Sequence, residues 1–297
     1  MNFKKKYLKA NKIAITFKDL GAANLILNFI KYTEKKNIFY YSSNPAKKLF
    51  NNSKLKKYLH KAKTEKELFH KADLYIGGSG SSNFEKKYLT EAKKRKINSF
   101  TVLDNFTYYP KRFLYNNKFC LPDGFITFDY EAFKLAKKYF KKKKIFLLKN
   151  YYFYDLKKRI KKNDKVKKNI LFISEPFKLS HEIESFRFLL KKLTKIKLPT
   201  SSKIYVKLHP KDQKQKYKNI IKKFSHKLNI IISDKLDSIE LLNRCRWIFG
   251  ITSYLLYMSA KLGKKTFHCK LPGQGNIKLI NHKKIKSIYS YKLDKLK

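Results

Sequence analysis

The chain has 297 residues, with 72 Lys+Arg against 21 Asp+Glu and a formal charge of +51 at pH 7. Hydrophobic residues at 43% and aromatics at 15% exclude a disordered polycation and suffice for sizeable cores. No apolar run approaches the ~20 residues that cross a bilayer, and three scattered cysteines (Cys120, Cys245, Cys269) argue against a disulfide framework or a structural zinc site.

Taken in order, short apolar runs alternate with amphipathic stretches, the pattern of βαβ units and a parallel sheet. The basic segment 1–12 precedes an apolar run, 13–17, that is too short for a signal peptide and reads as the first strand. A helix is expected from Gly21 to about Lys35, then strands at 37–41, 73–77, 98–103, 123–128 and 145–148. Helices are expected over 83–96 and 131–141. Residues 150–168 are rich in Tyr and Lys without a strand period, which places a domain boundary there. A second series follows, with strands at 169–173, 203–208, 229–233, 247–250 and 265–268 and helices at 181–193, 213–224, 237–243 and 253–262. The expected architecture is α/β, two Rossmann-like domains facing across a cleft: 1–152 on the acceptor side, a linker at 153–167, 168–275 on the donor side, and a basic tail at 276–297.

Lysine supplies nearly all of the positive charge, since the only arginines are Arg95, Arg112, Arg159, Arg187, Arg244 and Arg246. Arg is the residue that reads bases and phosphates bidentately. Its scarcity, and lysines spread over nearly every expected helix, argue against a nucleic-acid-binding arm. An AT-rich coding bias accounts for most of the lysine, and attraction to an anionic membrane surface is a second reading. The compartment expected is the cytoplasm, with peripheral attachment to the inner face of the membrane.

The polar residues of interest recur at the carboxyl ends of expected strands. Gly77-Gly78-Ser79-Gly80-Ser81-Ser82 is a Gly/Ser loop before a helix, suited equally to an anion or to a capped turn, and it has neither Walker A nor dinucleotide spacing. Lys207-Leu208-His209-Pro210 places an ammonium and an imidazole at a strand exit, where they can meet a phosphate; a surface His beside a turn proline is the plainer alternative. Thr252-Ser253 is suited to phosphate or to capping the next helix. Asp104 is the candidate general base and Glu175 a second acidic candidate, each competing with a loop-capping role. The other histidines show no ligand spacing, and no Asp-x-Asp pair suggests a metal.

The order Lys207-x-His209-Pro210, Asp237-x-x-Glu240, Gly250-x-Thr252-Ser253 and Ala260-x-x-Gly263-Lys264 resembles the donor half of GT-B-fold glycosyltransferases, closest to the bacterial sialyltransferase and polysialyltransferase type. The N-terminal half, through Gly77–Ser82, Val102-Leu103-Asp104, Tyr108-x-x-x-Arg112 and Leu121-Pro122-Asp123, is similar to bacterial polysaccharide-biosynthesis proteins. The resemblance implies that His209 and Ser253 contact the donor phosphate, with Thr252 nearby. It also implies a metal-independent transferase that takes a CMP- or UDP-sugar as co-substrate, without a bound cofactor, and acts on a cell-surface glycan or lipid-linked acceptor. The acidic motif that carries the base in that type is absent here, where Asp123-Gly124 is only a fragment. Two other readings stand beside it: a nucleotide-sugar epimerase or hydrolase of the same fold, and a lysine-rich nucleic-acid-binding protein.

Overall fold

The structure, a computed structural model, describes residues 3–80, 82–104, 106, 109–160, 168–175, 179–196, 198–209, 212–233, 236–274 and 282–291. The chain divides into two units, Met1–Tyr154 and Asp155–Lys297. Each is built on a parallel sheet with helices between its strands, so the α/β expectation of two Rossmann-like halves holds.

In the first unit, helix α1 (Phe3–Lys9) precedes β1 (Ile13–Phe17), α2 (Leu20–Thr33), β2 (Ile38–Ser42), α3 (Ala46–Asn51) and β3 (Leu59–Lys61). There follow α4 (Glu65–Phe69), β4 (Leu74–Gly77), α5 (Asn83–Lys94) and β5 (Asn98–Leu103). A small antiparallel hairpin, β6 (Leu114–Tyr115) and β7 (Lys118–Phe119), leads to β8 (Gly124–Thr127), α6 (Tyr130–Tyr139) and β9 (Lys144–Leu147). The sheet order is β3-β2-β1-β4-β5-β8-β9, so the direction of winding reverses between β1 and β4. Every residue of β1, β4 and β8 is buried, because helices cover both faces of a parallel sheet. Alternate residues then serve different cores. Ile13, Ile15 and Phe17 pack with Ile26 and Ile30 of α2, while Ala14 packs on the opposite face with Tyr75 and Leu89.

Helix α7 (Tyr151–Arg159) begins in the first unit and ends in the second, which continues with β10 (Ile170–Ile173), α8 (Leu179–Thr194), β11 (Ile204–Lys207), α9 (Lys218–Phe224) and β12 (Ile230–Ser233). The series ends with α10 (Ser238–Arg244), β13 (Trp247–Gly250), α11 (Tyr254–Lys261), β14 (Lys265–His268) and β15 (Ile285–Ser287). The order is β12-β11-β10-β13-β14-β15, with its reversal between β10 and β13. Phe172 packs under Phe186 and Leu190 of α8, and Leu171 and Ile173 pack on the other face with Leu241 and Leu256.

Several elements differ from expectation, among them the short helices α3 and α4 and the β6–β7 hairpin, where no element was expected. Helix α1 lies within a lysine-rich segment but buries Phe3 and Tyr7 completely, one turn apart, with rings 6.0 Å from each other. Strand β3 buries only Leu59 and so carries no alternation to read. The segment expected as a linker, 153–167, is helical as far as Arg159, and 161–167 lie outside the described residues. The basic tail, for which no strand was expected, supplies β15, which pairs with β14.

Candidate functional site

In the first unit the ends of three neighbouring strands carry a charged cluster. β1 runs out into Lys18-Asp19, β4 into Gly78-Ser79-Gly80 and β5 into Asp104. Glu85 joins them from the first turn of α5. Its spacing from Ser82 is that of a capping box, yet Glu85 Oε1 reaches across to accept the Lys18 N–H at 2.9 Å, while Ser82 Oγ donates to Oε2 at 2.8 Å. Glycine makes this crowding feasible. A Cβ on Gly80 would stand 2.3 Å from Asp19 Oδ2 and 3.2 Å from Glu85 Oε1, and one on Gly21 would stand 2.1 Å from Asp104 Oδ2. Arg112 Nη1 donates to the Ser79 carbonyl at 2.8 Å and lies 3.9 Å from Asp104 Oδ1; the two side chains are 14% and 15% exposed. Ser79 itself is buried, and its hydroxyl has no hydrogen-bond partner among the described residues.

Burial pushes the Asp104 carboxyl above the usual carboxylate range; Arg112 opposes the rise and Asp19 adds to it. Glu85 is raised in the same way, by burial first and by Asp19 second. A carboxyl of raised proton affinity holds a proton more readily than an ordinary one, which favours it as a base in general acid–base chemistry.

In the second unit the crossing point between β10 and β13 is closed by Glu175, which is 5% exposed. Its Oε1 accepts the backbone N–H groups of Ile251, Thr252 and Ser253 at 2.8, 2.7 and 2.9 Å, and Oε2 accepts the Thr252 hydroxyl at 2.8 Å. Burial raises its proton affinity and these four donors oppose the rise. Ser253 caps α11, its Oγ accepting the Leu255 N–H at 3.1 Å. Behind this, Lys216 is 5% exposed and donates to Asp212 Oδ1 at 2.7 Å, to the Glu175 carbonyl at 2.9 Å, to Ser174 Oγ at 3.2 Å and to Glu182. Tyr217 donates to Glu182 at 2.6 Å, and the Glu175 N–H donates to the same oxygen at 2.6 Å. Asp212 also accepts the His209 N–H at 2.9 Å, which fixes the backbone where β11 ends. Lys207, the last residue of β11, has its proton affinity lowered by burial, with Asp237 opposing.

The structure thus gathers Asp104 and the glycine loop into one cluster, and Glu175, Thr252 and Ser253 into another. Glu175, expected on the donor side, has both oxygens engaged inside the fold. The N–H groups expected for phosphate at Thr252-Ser253 are the ones it occupies. Gly77 is required by Tyr75, whose hydroxyl would lie 2.5 Å from a Cβ there. Ser81 and Pro210 lie outside the described residues. Asp19 and Glu85 escape the sequence reading because each stands where a helix cap belongs. Glu182, Asp212 and Lys216 have no motif beyond a four-residue Asp–Lys spacing. Among the described residues no group of three His, Cys, Asp or Glu is placed to hold a metal ion, and no helix is long and apolar enough to cross a membrane.

No protein-family model and no curated protein sequence matches the chain. Solved structures do. The S. aureus MnaA–UDP structure superposes with a TM-score of 0.61 at 13% identity, covering 86% of this chain and 78% of that one. The Neisseria meningitidis UDP-GlcNAc 2-epimerase bound to UDP-GlcNAc gives 0.59 at 14% identity, covering 86% and 82%. The kitacinnamycin glycosyltransferase gives 0.52 at 6% identity, covering 86% and 79%. At such identities the likeness is one of fold: two Rossmann-like halves of the GT-B type.

Proposed function

We propose that the chain is a glycosyltransferase that takes a nucleotide-activated sugar, a CMP- or UDP-sugar, and transfers it to a glycan or lipid-linked acceptor. The observation that carries this reading is Asp104: a carboxyl of raised proton affinity at the carboxyl end of a central strand, beside Arg112. It is supported by the fold, which the chain shares with proteins solved in complex with UDP and UDP-GlcNAc. In this reading Asp104 takes the proton of an acceptor hydroxyl as that oxygen attacks the anomeric carbon. The bond from sugar to phosphate breaks and its electron pair leaves with the nucleotide. Lys207 and His209, at the end of β11, would meet the charge that develops on the phosphate, so that side chains supply the neutralisation. The lysine-rich surface would hold the enzyme at an anionic membrane face where lipid-linked acceptors are presented.

A second reading, a nucleotide-sugar epimerase or hydrolase, is favoured by Asp19, which neighbours both Asp104 and Glu85, since a run of interacting carboxyls can manage more than one proton. Product analysis separates the two. Purified protein is incubated with a panel of CMP-, UDP-, GDP- and CDP-sugars, with and without acceptor glycans, and free nucleotide and sugar products are resolved by chromatography. Acceptor-dependent nucleotide release, lost in Asp104→Asn and weakened in donor affinity by His209→Ala, is the expected result. Turnover without acceptor would replace transfer by the second reading, and His209→Ala with unchanged donor affinity and turnover would remove His209 from the site.

A further inference from the structure

Open α/β sheets accept ligands where the strand order reverses, because the connections on either side leave on opposite faces and open a crevice. In the second unit that place, between β10 and β13, already holds an anion belonging to the chain. The Glu175 carboxylate takes three consecutive backbone N–H groups and one hydroxyl at the head of α11, at 2.7–2.9 Å. These N–H groups belong to the turn that enters α11, with Ser253 as its N-cap, and successive backbone N–H groups in such a turn form an anion-binding seat of the kind phosphate uses. The glutamate is not a surface side chain that folded in by chance. It is 5% exposed, and its own backbone is clamped on both sides, by the Glu182 carboxylate on its N–H and the Lys216 ammonium on its carbonyl.

We propose that Glu175 is a built-in anion that fills this seat, a specificity-determining residue that denies the head of α11 to phosphate. A second anion brought to the same N–H groups would meet a carboxylate within contact distance, and two like charges cannot share one set of donors without one of them losing its charge. A phosphate-bearing ligand is therefore left to the side chains at the end of β11, Lys207 and His209; this last step alone rests on the donor reading above.

The test uses inorganic phosphate and formate as probes, with wild type, Glu175→Ala and Glu175→Gln compared by thermal denaturation at constant ionic strength set with chloride. Glu175→Ala is expected to melt below wild type and to be restored, saturably, by formate that refills the seat. Wild type does not respond to formate. Phosphate should bind Glu175→Ala more tightly than wild type by about tenfold or more, the equivalent of one charge-assisted hydrogen bond. Glu175→Gln, with the shape but not the charge, should melt below wild type and gain nothing from formate. Absence of carboxylate-specific rescue in Glu175→Ala, or equal phosphate affinity in Glu175→Ala and wild type, overturns the proposal. Should Glu175→Ala fail to fold, Glu175→Gln decides: stability equal to wild type overturns the proposal, and a loss supports it. Wild type that binds a nucleotide sugar while Glu175→Ala gains no phosphate affinity would defeat this inference and spare the donor reading. The converse result would do the reverse.

Discussion

Lys216→Met tests whether the buried cluster of the second unit is held together by one cation. The ammonium sits against Glu182 and Asp212 with 5% of its side chain exposed, and Glu182 is wholly buried, so solvent screens little of the interaction. Methionine keeps the length of the side chain and removes the charge. Two buried carboxylates then face each other without a counter-ion, and the Glu175 carbonyl and Ser174 hydroxyl lose a donor. Removing one partner from a buried ion pair costs about 3–5 kcal/mol, mostly through the charge left behind. In a unit of this size each kcal/mol lowers the melting temperature by roughly 2–4 °C, so a fall of about 6–20 °C is expected. The assay is thermal denaturation of wild type, Lys216→Met, Glu182→Gln and the double variant. Because Glu182→Gln removes one of the orphaned charges, the double variant should recover about 1–3 kcal/mol relative to the sum of the single losses. A Lys216→Met protein melting within about 2 °C of wild type, a loss of less than 1 kcal/mol, would refute the reasoning.

Three further outcomes follow from the same geometry. Because burial raises the Asp104 carboxyl above its ordinary value, its contribution to stability is full in acid and is lost as pH rises through the raised value. Asp104→Asn should therefore be more stable than wild type at neutral pH and equal to it in acid, as chemical denaturation across that range would show; the acidic limb of a wild-type activity profile should lie above the usual carboxylate range for the same reason. Gly21→Ala would place a methyl 2.1 Å from Asp104 Oδ2, which should cost about 1–3 kcal/mol and suppress turnover. Combined with Asp104→Ala it should cost almost nothing more in stability, and additive losses would show that the contact is not the cause. Binding to anionic vesicles, measured by sedimentation, should weaken steeply as salt rises, given a net charge of +51 spread over exposed lysines; salt-independent binding would point to apolar insertion instead.

Much of the fold is legible in the sequence for a plain reason. Strands buried on both faces, such as Ile170–Ile173 and Trp247–Gly250, are unbroken apolar runs, and they stop where the first polar residue leaves the sheet. The same stop marks Asp104, Glu175 and Lys207, so their positions at strand ends are legible too. What each does there is not. Glu175 and the turn it binds are separated by more than seventy residues, and no spacing rule links them. Glu85 and Asp19 have ordinary local explanations as helix caps, and only the approach of neighbouring strand ends brings Asp19 up to both Glu85 and Asp104. The Lys216 cluster joins α8 to the segment after β11, and its members look like surface charge in a chain this rich in lysine. Edge strands such as β3 and β15 are short and partly exposed, and for that reason carry almost no pattern.

The pairing of β14 with β15 also bears on how the chain is made. Parallel partners cannot be neighbours in a tight turn, so β14 must wait until the chain has been synthesised beyond Ser287 before its outer edge is covered. Lys192 of α8 completes the docking, donating to the carbonyl of Ile288 at 2.8 Å and to those of Tyr289 and Tyr291 at 3.3 Å. Until then a nascent chain on the ribosome displays an open row of amide and carbonyl groups along Lys265–His268, next to a hydrophobic core that still lacks Ile288. Newly made polypeptide interrupted in that interval is the species most prone to pair with a copy of itself, and a chaperone acting on this protein would find its work there.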